Sequence, residues 1–542
     1  MKHRPWRSWG AALSRRKRRE RFEAILDDSG VPTALDALLA SGGRPRQLGA
    51  KTVLLGIMLA LDAGRPAQLE AAWRALCDLP VADQLSVGFA QSKGATLRLA
   101  TYRQLSDTFS VLCRGIDPTP VPSFRGVPEQ ERVLHLAAAR TGVDAEAKRV
   151  LLDGVSDALV EASVPSAYKS ASSSLAVDWT DHETWSRARP LEDPQPSNDP
   201  DASFGHAKRN APGAKDYLFF GYYAGVATMV RDEGGAHVPE LVRRIALHAP
   251  CLDPAAAMVQ TLLRLCRDGV ALGDVLADCG YSNRQPQTFA VPLRRAGANL
   301  VMDLHPADRG RRGTFEGAIA ANGALYCPAT PEALLELGPL KRGASEEETA
   351  AHDARFAELS RFKLSALSAP DADGYQRVVC PAAAGKIRCP HKAASLALSF
   401  AHPSVSHPPA ELPRCCAQRS ITVPPQVNEK TRQKHDYPGP AHRDSYARRT
   451  AAERTYASLA DPSVGGIRRG WCRLFGLTKN TLMYALAVVV RNVRIVESFE
   501  RRQEQEARAQ SVGPTRRRRR RHQRDTTAPS DQPVPEVRTA PG

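Results

Sequence analysis

The sequence predicts an α/β protein with a helical N-terminal domain and an inserted segment of loops and helix. Three observations carry this expectation. Apolar residues recur at helical spacing before about residue 165, the order strand, strand, strand, helix, strand, helix, strand follows from residue 172, and residues 310–426 break that rhythm.

The elements are predicted in chain order. Residues 1–21 are a basic arm, with Lys2, Arg4 and Arg7 and then Arg15-Arg16-Lys17-Arg18-Arg19. Residues 22–165 read as a helical domain: Phe22, Ile25 and Leu26 share a helix face, Val53 to Leu59 is a buried helix core, and Tyr102 to Leu112 follows suit. Its basic turn Gly43-Arg44-Pro45-Arg46 makes it a candidate DNA-binding domain, although a scaffold or dimer interface explains the helices equally well.

Residues 172–308 hold short strands at Leu175 to Thr180, Tyr217 to Val230 and Leu241 to Leu247, then a helix Pro254 to Cys266. A fourth strand, Val270 to Cys279, a helical piece near Thr288 to Arg295 and a fifth strand, Ala298 to Leu304, complete this part. Residues 309–426 form the insertion, with a charged helix from Ser345 to Leu364. Residues 427–499 return to helices, Asp444 to Leu459 with Asp444 or Ser445 as N-cap, and Leu477 to Phe499. Residues 500–542 read as a disordered basic tail containing six consecutive arginines, Arg516 to Arg521.

The charge points to a polyanionic partner. The 542 residues carry 75 Lys/Arg against 58 Asp/Glu, a formal charge of +17, and from Arg414 to Gly542 the ratio is 26 to 12. A surface of this sign binds nucleic acid by releasing counterions. The apolar runs Thr52 to Leu61 and Leu482 to Val490 fall short of the ~20 residues of a membrane helix, and no apolar segment of signal-peptide length follows the N-terminal charge. Eleven thinly spread cysteines suit a reducing compartment, so a cytoplasmic, nucleoid-associated protein is expected. Walker-type phosphate loops are absent, and ATP dependence is not predicted.

Three carboxylates sit where elements end. In Leu175-Ala-Val-Asp178-Trp-Thr, alternation sets Leu175 and Val177 on one face and Asp178 on the other. Asp278 follows the apolar Val275-Leu276-Ala277, at the strand end where open α/β sheets place ligands. Tyr446, Arg449 and Glu453 are spaced i, i+3, i+7, within roughly a 60° arc of one helix. Hard carboxylate oxygens of this kind hold Mg²⁺ or Mn²⁺ for phosphoryl transfer. Each acid alone is better explained as a salt-bridged strand end, a cap or an exposed face, and it is their joint occurrence in this order of strands and helix that points to a site.

The segments Val177-Asp178-Trp179-Thr180-Asp181, Leu276-Ala277-Asp278-Cys279-Gly280-Tyr281-Ser282 and Tyr446-x2-Arg449-x3-Glu453 together resemble bacterial insertion-sequence DDE transposases. The resemblance implies an RNase H-like catalytic domain built from residues 172–308 and 427–499. It implies Asp178, Asp278 and Glu453 as catalytic metal ligands for Mg²⁺ or Mn²⁺, with Tyr446 and Arg449 supporting the third acid and contacting DNA. It implies as partners double-stranded DNA, both element ends and target, and a homo-oligomer in a synaptic complex. The family's Lys after the Glu is replaced by Ala460, leaving Arg454, Arg468 or Lys479 as phosphate contacts. Asp181, Asp274 and Asp303 are rival acids. A DNA-binding relative that has lost catalysis and a metal-dependent nuclease without strand transfer are the alternative functions.

Other candidates are weaker in pattern. Cys380, Cys389 and Cys415, among the five insertion cysteines with Cys327 and Cys416, are candidate ligands of a structural Zn²⁺, although no C-x2-C pair occurs and free thiols explain them as well. Gly205 to Asn210 is a candidate phosphate contact or a solvated hairpin, and Trp185 and Trp471 are candidate base-stacking groups or buried core.

Overall fold

A computed structural model describes residues 15–38, 48–93, 96–119, 127–207, 216–341 and 343–511. The basic turn at 43–46, Lys208 to Asn210 and the arginine run at 516–521 lie outside the described residues, as do the first fourteen positions of the basic arm. The chain divides into a unit Met1–Ser498 and a unit Phe499–Gly542, and the described part of the second is helical.

The N-terminal part of the first unit is mostly helical: α1 (Arg15–Ser29), α2 (Ala50–Asp62), α3 (Tyr102–Gly115) and α4 (Val143–Ala162) are its main helices. Residues 15–21, expected in the arm, belong to α1. The physical reason is ion pairing: Arg18 meets Asp62 and Glu497 at 2.8 and 3.0 Å, and Arg19 meets Asp83 at 2.6 Å, so both guanidinia are buried with carboxylate partners. The α3 start carries a reciprocal capping box, with Thr101 accepting from the Gln104 amide and the Gln104 side chain accepting from Thr101. A hairpin, Ala90–Lys93 with Thr96–Leu99, departs from the helical expectation; its exposed outer strand, Thr96-Leu97-Arg98-Leu99, has four residues, too few to establish a period.

The centre is a six-stranded mixed sheet of β1 (Ser174–Glu183), β2 (Ser203–Ala207), β3 (Tyr217–Val230), β4 (Val242–His248), β5 (Asp274–Ala277) and β6 (Asn299–Met302). β1 pairs antiparallel with β3, whose other edge takes β2 and then β4, both antiparallel. On its far side β1 pairs parallel with β5, and β5 parallel with β6. The predicted fourth strand shrinks to Asp274–Ala277, because helix α5 (Pro254–Arg267) ends in a turn through Gly269, at φ 86°, where Gly269 N donates to Cys266 O. Asp253 caps α5, with Pro254 at its first turn where the missing N–H costs nothing.

Both sheet faces are covered. Leu175, Val177, Ala227, Val275 and Leu300 pack with Met258, Leu262 and Leu265 of α5. Ala176, Leu276 and Val301 face the opposite way, toward Ala451 and Ala452. Tyr222, Val226 and Ile245 share one core with Phe22, Leu54, Phe109 and Leu159 of the N-terminal helices and with Leu482 to Val490. The last run belongs to α10, defined below, which is apolar all round there because it is buried all round.

The insertion contains more strand than predicted. β7 (Arg311–Phe315), β8 (Ala318–Ala321) and β9 (Ala324–Tyr326) form one antiparallel meander, and β10 (Ser365–Ala366), β11 (Gln376–Val379) and β12 (Ile421–Val423) another. Their two- to five-residue length and small apolar content hide them from periodicity. The charged helix is present as α7 (Glu346–Phe362), started by the Ser345–Glu348 capping box; a short α6 (Ala290–Arg295) precedes β6.

The C-terminal helices begin earlier than expected. α8 (Pro440–Tyr446) starts after Gly439 with Pro440 at its first turn, so neither Asp444 nor Ser445 is the N-cap. A 3-10 turn, Ala447–Arg449, then leads into α9 (Thr450–Ala460), and α10 runs from Leu477 to Ser511. Among the described residues no helix is long and apolar enough to cross a membrane.

Candidate active site

Register brings the first two acids to one level. Ala176 of β1 pairs with Leu276 of β5, so Asp178 and Asp278 each stand two residues beyond a matched pair on parallel neighbours. With a period of two, both share the side of Ala176 and Leu276, the side that α9 covers. Glu453 lies on α9, one residue past the alanines packed against that face.

The three carboxylates meet on one guanidinium. Arg449 Nη2 stands 3.0 Å from Asp178 Oδ2 and 3.4 Å from Asp278 Oδ2, while Nη1 stands 2.8 Å from Glu453 Oε1. The side-chain exposures rise from 14% for Asp178 through 32% for Asp278 to 57% for Glu453, so the site opens from the sheet outward. Burial pushes the Asp178 carboxyl up to about 7, against the pull of Arg449 and with a push from the Asp278 charge. Burial opposes the Arg449 charge, but the surrounding Asp178, Tyr446, Asp278 and Glu453 raise its pKa on balance.

Asp178 and Asp278 are fixed by local structure. The single hydroxyl proton of Tyr456 is shared between the Asp178 carbonyl, 2.7 Å from Oη, and Ala224 O, 2.9 Å away, tying α9 to β1 and β3. Asp278 caps the turn Cys279–Ser282 through Gly280 N, 2.9 Å from Oδ1. Tyr456 is absent from the residues that the sequence motifs mark, and its i+3 spacing from Glu453 is the signal that would find it.

Gly280 has a packing reason. A Cβ there would stand 2.8 Å from Trp179 Cη2 and 3.0 Å from Asp278 Oδ1. Trp179 is itself held edge-on by Tyr281, with ring centroids 4.3 Å apart. Gly280→Ala is therefore expected to destabilise the fold by about 1–3 kcal/mol and to disturb Asp278, measurable as a lower urea midpoint with unchanged slope.

The other predicted residues are distributed differently. Tyr446 is half-buried, stacked on His442 at 5.6 Å and packed with Ala176 and Leu276, so it supports the site from beneath. Arg454 pairs with both carboxylate oxygens of Glu240, and Arg468 lies over Trp471 at 5.1 Å. Lys479 sits in the first turn of α10, near enough to Cys113 of α3 to act on its thiol. Trp185 is 43% exposed with Arg473 at 4.8 Å from its ring.

The rival acids have other partners. Asp274 is buried between Lys434 (2.9 Å) and Arg448 (2.7 Å), Asp303 binds Tyr437 Oη (2.8 Å) and Arg309 (3.2 Å), and Asp181 accepts from Tyr217 Oη at 2.9 Å. A separate cleft of about 1480 Å³ is lined by Asp157, Glu161, Arg243, Arg244 and Arg264 among others, and its lining includes none of the three carboxylates. Its charges answer one another, as in Arg244 Nη1 to Glu161 Oε2 at 2.8 Å and Arg264 Nε to Asp157 Oδ2 at 2.7 Å.

The three carboxylates offer hard oxygens of the kind a divalent cation takes, but as they stand they are drawn onto Arg449. Two buried polar atoms at the site, Arg449 Nε and Tyr281 Oη, have no hydrogen-bond partner among the described residues. With Arg449 between them the acids are not a finished ligand set: among the described residues no group of three His, Cys, Asp or Glu stands close enough to hold a metal.

In metal-free solution the raised Asp178 pKa has a definite sign. Its folded value, about 7, exceeds the unfolded 3.8, so its contribution to stability is fully present below about pH 4 and lost as pH rises through 7. Asp178→Asn removes that slope. In chelator, the stability of wild type relative to this variant should fall between pH 5 and 7.5 and level off above, measured by urea melts at each pH.

No family model matches the chain, and neither a curated protein nor a solved structure matches it.

Proposed function

We propose that the chain is a DNA transposase of the DDE type, cutting a strand at element ends and joining the freed 3′ end to target DNA. The observation that carries the reading is the meeting of Asp178, Asp278 and Glu453, from two adjacent strand ends and a covering helix, on Arg449. The sheet supports an RNase H-like assignment: β4–β3–β1 antiparallel, then β5 and β6 parallel to β1, with the first acid on the central strand and the second just after its parallel neighbour. The basic C-terminal quarter supports a DNA partner, and a synaptic homo-oligomer belongs to the same reading.

Asp178, Asp278 and Glu453 would hold Mg²⁺ or Mn²⁺, which when bound activates a water or 3′-hydroxyl nucleophile and neutralises charge on the scissile phosphate. Asp178 is the anchoring acid: its strand is central to the sheet and Tyr456 fixes its backbone. Glu453 is the most exposed of the three and lies on the open side of the site. With the carboxylates turned to a cation, Arg449, which now balances all three acids, would be free to contact a phosphate.

The test is a cleavage and joining assay on DNA carrying the ends of the encoding element, with Mg²⁺ or Mn²⁺ and in chelator. Metal-dependent nicking at the ends and joining of a pre-cleaved 3′-hydroxyl end is the expected result. Cutting without joining identifies a nuclease. Binding without any cutting identifies a catalytically inactive DNA-binding relative, a reading that the guanidinium occupying the carboxylate cluster favours.

A further inference from the structure

Two places outside the carboxylate site gather reactive or charged side chains. The insertion cysteines are one, and the zinc expected there has no ligand set: Cys380 and Cys389 lie in one small core, Cys415 in the adjoining one, and among the described residues no group of three metal-ligating side chains stands close enough to hold an ion. The other is the cleft of about 1480 Å³ bordered by α4, β4 and α5.

One face of α4 lines this cleft, through Val150, Asp153, Gly154, Asp157, Ala158 and Glu161, which recur at helical spacing. A bulge in β4 brings in the facing charges. Ala227 of β3 pairs with Arg244 and Thr228 pairs with Val242, so Arg243 is the extra residue. Neighbours on a regular strand point to opposite faces, yet here both guanidinia reach Glu161, Arg243 Nη2 at 3.0 Å and Arg244 Nη1 at 2.8 Å, and both residues are 1% exposed.

Most of these charges are answered, and two atoms are not. Arg264 places Nε 2.7 Å from Asp157 Oδ2 and Nη1 3.0 Å from Asp153 Oδ2, and Arg243 Nη1 donates to Lys169 O at 3.0 Å. Arg244 Nε and Asp157 Oδ1 have no hydrogen-bond partner among the described residues, although Arg244 is 1% exposed and Asp157 7%. They stand 3.7 Å apart, too far to bond to each other. A buried donor and a buried acceptor left side by side each carry a desolvation cost, which an incoming acceptor and donor would remove.

Room beside this pair is kept open. Gly154 stands in the middle of the twenty-residue α4, one turn before Asp157, where glycine weakens a helix relative to alanine. A Cβ there would meet nothing within 4 Å, so packing does not require the glycine. Ala158, Ala246 and Ala257 line the cleft with single methyl groups, and Val150 and Leu252 add apolar surface at 59% and 49% exposure.

The charge pattern selects the ligand. Arg243, Arg244 and Arg264 are engaged by Glu161, Asp157 and Asp153, so among these groups neither a phosphate nor a metal ion finds an uncommitted counter-charge. The molecule that fits is neutral where it touches, with a thin apolar body and one edge that sets an acceptor beside a donor. A nucleobase has such an edge, as adenine does with N7 beside its N6 amino group, the edge that an Asn or Gln side chain reads with one donor and one acceptor. We propose that the cleft binds the base of a free nucleoside, with the base acceptor on Arg244 Nε and the base donor on Asp157 Oδ1. The site is independent of the carboxylate centre, none of whose three acids lines the cleft.

The test titrates the full-length chain, without DNA and in chelator, with adenosine, guanosine, cytidine and thymidine in turn, followed by calorimetry and by the thermal midpoint. At least one nucleoside should bind one to one with a dissociation constant below about 1 mM and raise the midpoint, whereas ribose 5-phosphate should do neither. Gly154→Leu fills the open space from a position that suits a helix, so the free variant should melt no lower than wild type and should lose binding. Arg244→Lys sets a methylene where Nε–H stands and keeps a charge for Glu161, and it should bind at least about tenfold more weakly. Failure of all four nucleosides to bind folded wild type at about 1 mM leaves the pair to ordered water and overturns the proposal. Undiminished binding in Gly154→Leu overturns it as well, as does ribose 5-phosphate binding as tightly as a nucleoside. The wild-type titration decides by itself, so a variant that fails to fold leaves the decision intact.

Discussion

Asp278→Asn is expected to lower metal-dependent DNA cleavage by about 10³-fold or more, some 4 kcal/mol of transition-state stabilisation, while hardly moving the thermal midpoint. The amide is the informative replacement because its oxygen keeps the Gly280 cap that Asp278 Oδ1 now makes, so lost activity cannot be traced to a lost turn. Glu453→Gln should behave alike, since its side chain is more than half exposed and the Arg449 contact is replaced by water at little cost. Arg449→Ala should differ in kind. It leaves Asp178 buried without its cation, so stability falls together with activity, and the loss should be larger at pH 8 than at pH 6, where Asp178 takes up a proton. Single-turnover cleavage beside urea melts separates the cases. Full activity in both Asp278→Asn and Glu453→Gln would remove the carboxylate cluster from the chemistry.

Five of the six central strands and the positions of the acids are legible in the sequence because their signals are local, whereas the short strand β2 (Ser203–Ala207) is not. Leu175 to Thr180 and Tyr217 to Val230 are apolar runs of strand length, while which strand ends adjoin is set by the pairing in the fold. How the acids are balanced is not legible. Helical spacing puts Arg449 on one face with Glu453, but its reach to Asp178 and Asp278 depends on the 3-10 turn Ala447–Arg449, which a uniform 100° spacing does not contain. The insertion's six strands escape a periodicity reading because a strand such as Ser365–Ala366 is too short to have a period. The sharing of one core by the N-terminal helices, β3, β4 and α10 is equally hidden, since long-range packing leaves no trace in any single window.

The largest stability effect is expected at Arg491, which packs against the helix that carries Glu453. α10 is apolar from Leu482 to Val490, and Arg491 interrupts it at 1% exposure. Its guanidinium donates to Ser458 Oγ at 2.7 Å and Thr455 Oγ1 at 3.0 Å on α9, and to Glu240 O at 2.9 Å. Thr455 in turn meets Thr228 Oγ1 of β3 at 3.1 Å, so the chain of bonds runs from α10 through α9 to the sheet. Burial pulls the Arg491 pKa down to about 10, which still leaves it charged at neutral pH. Arg491→Ala removes a large buried side chain and orphans these acceptors, at a cost of about 3–5 kcal/mol. Arg491→Met keeps most of the volume and should cost about 1–3 kcal/mol, the share that belongs to the lost hydrogen bonds. Because the bonds hold the register of α9, Arg491→Met should also reduce cleavage at temperatures where it is fully folded, through a misplaced Glu453. A stable Met variant with wild-type cleavage would show that α9 is positioned by Ala451, Ala452 and Tyr456 alone.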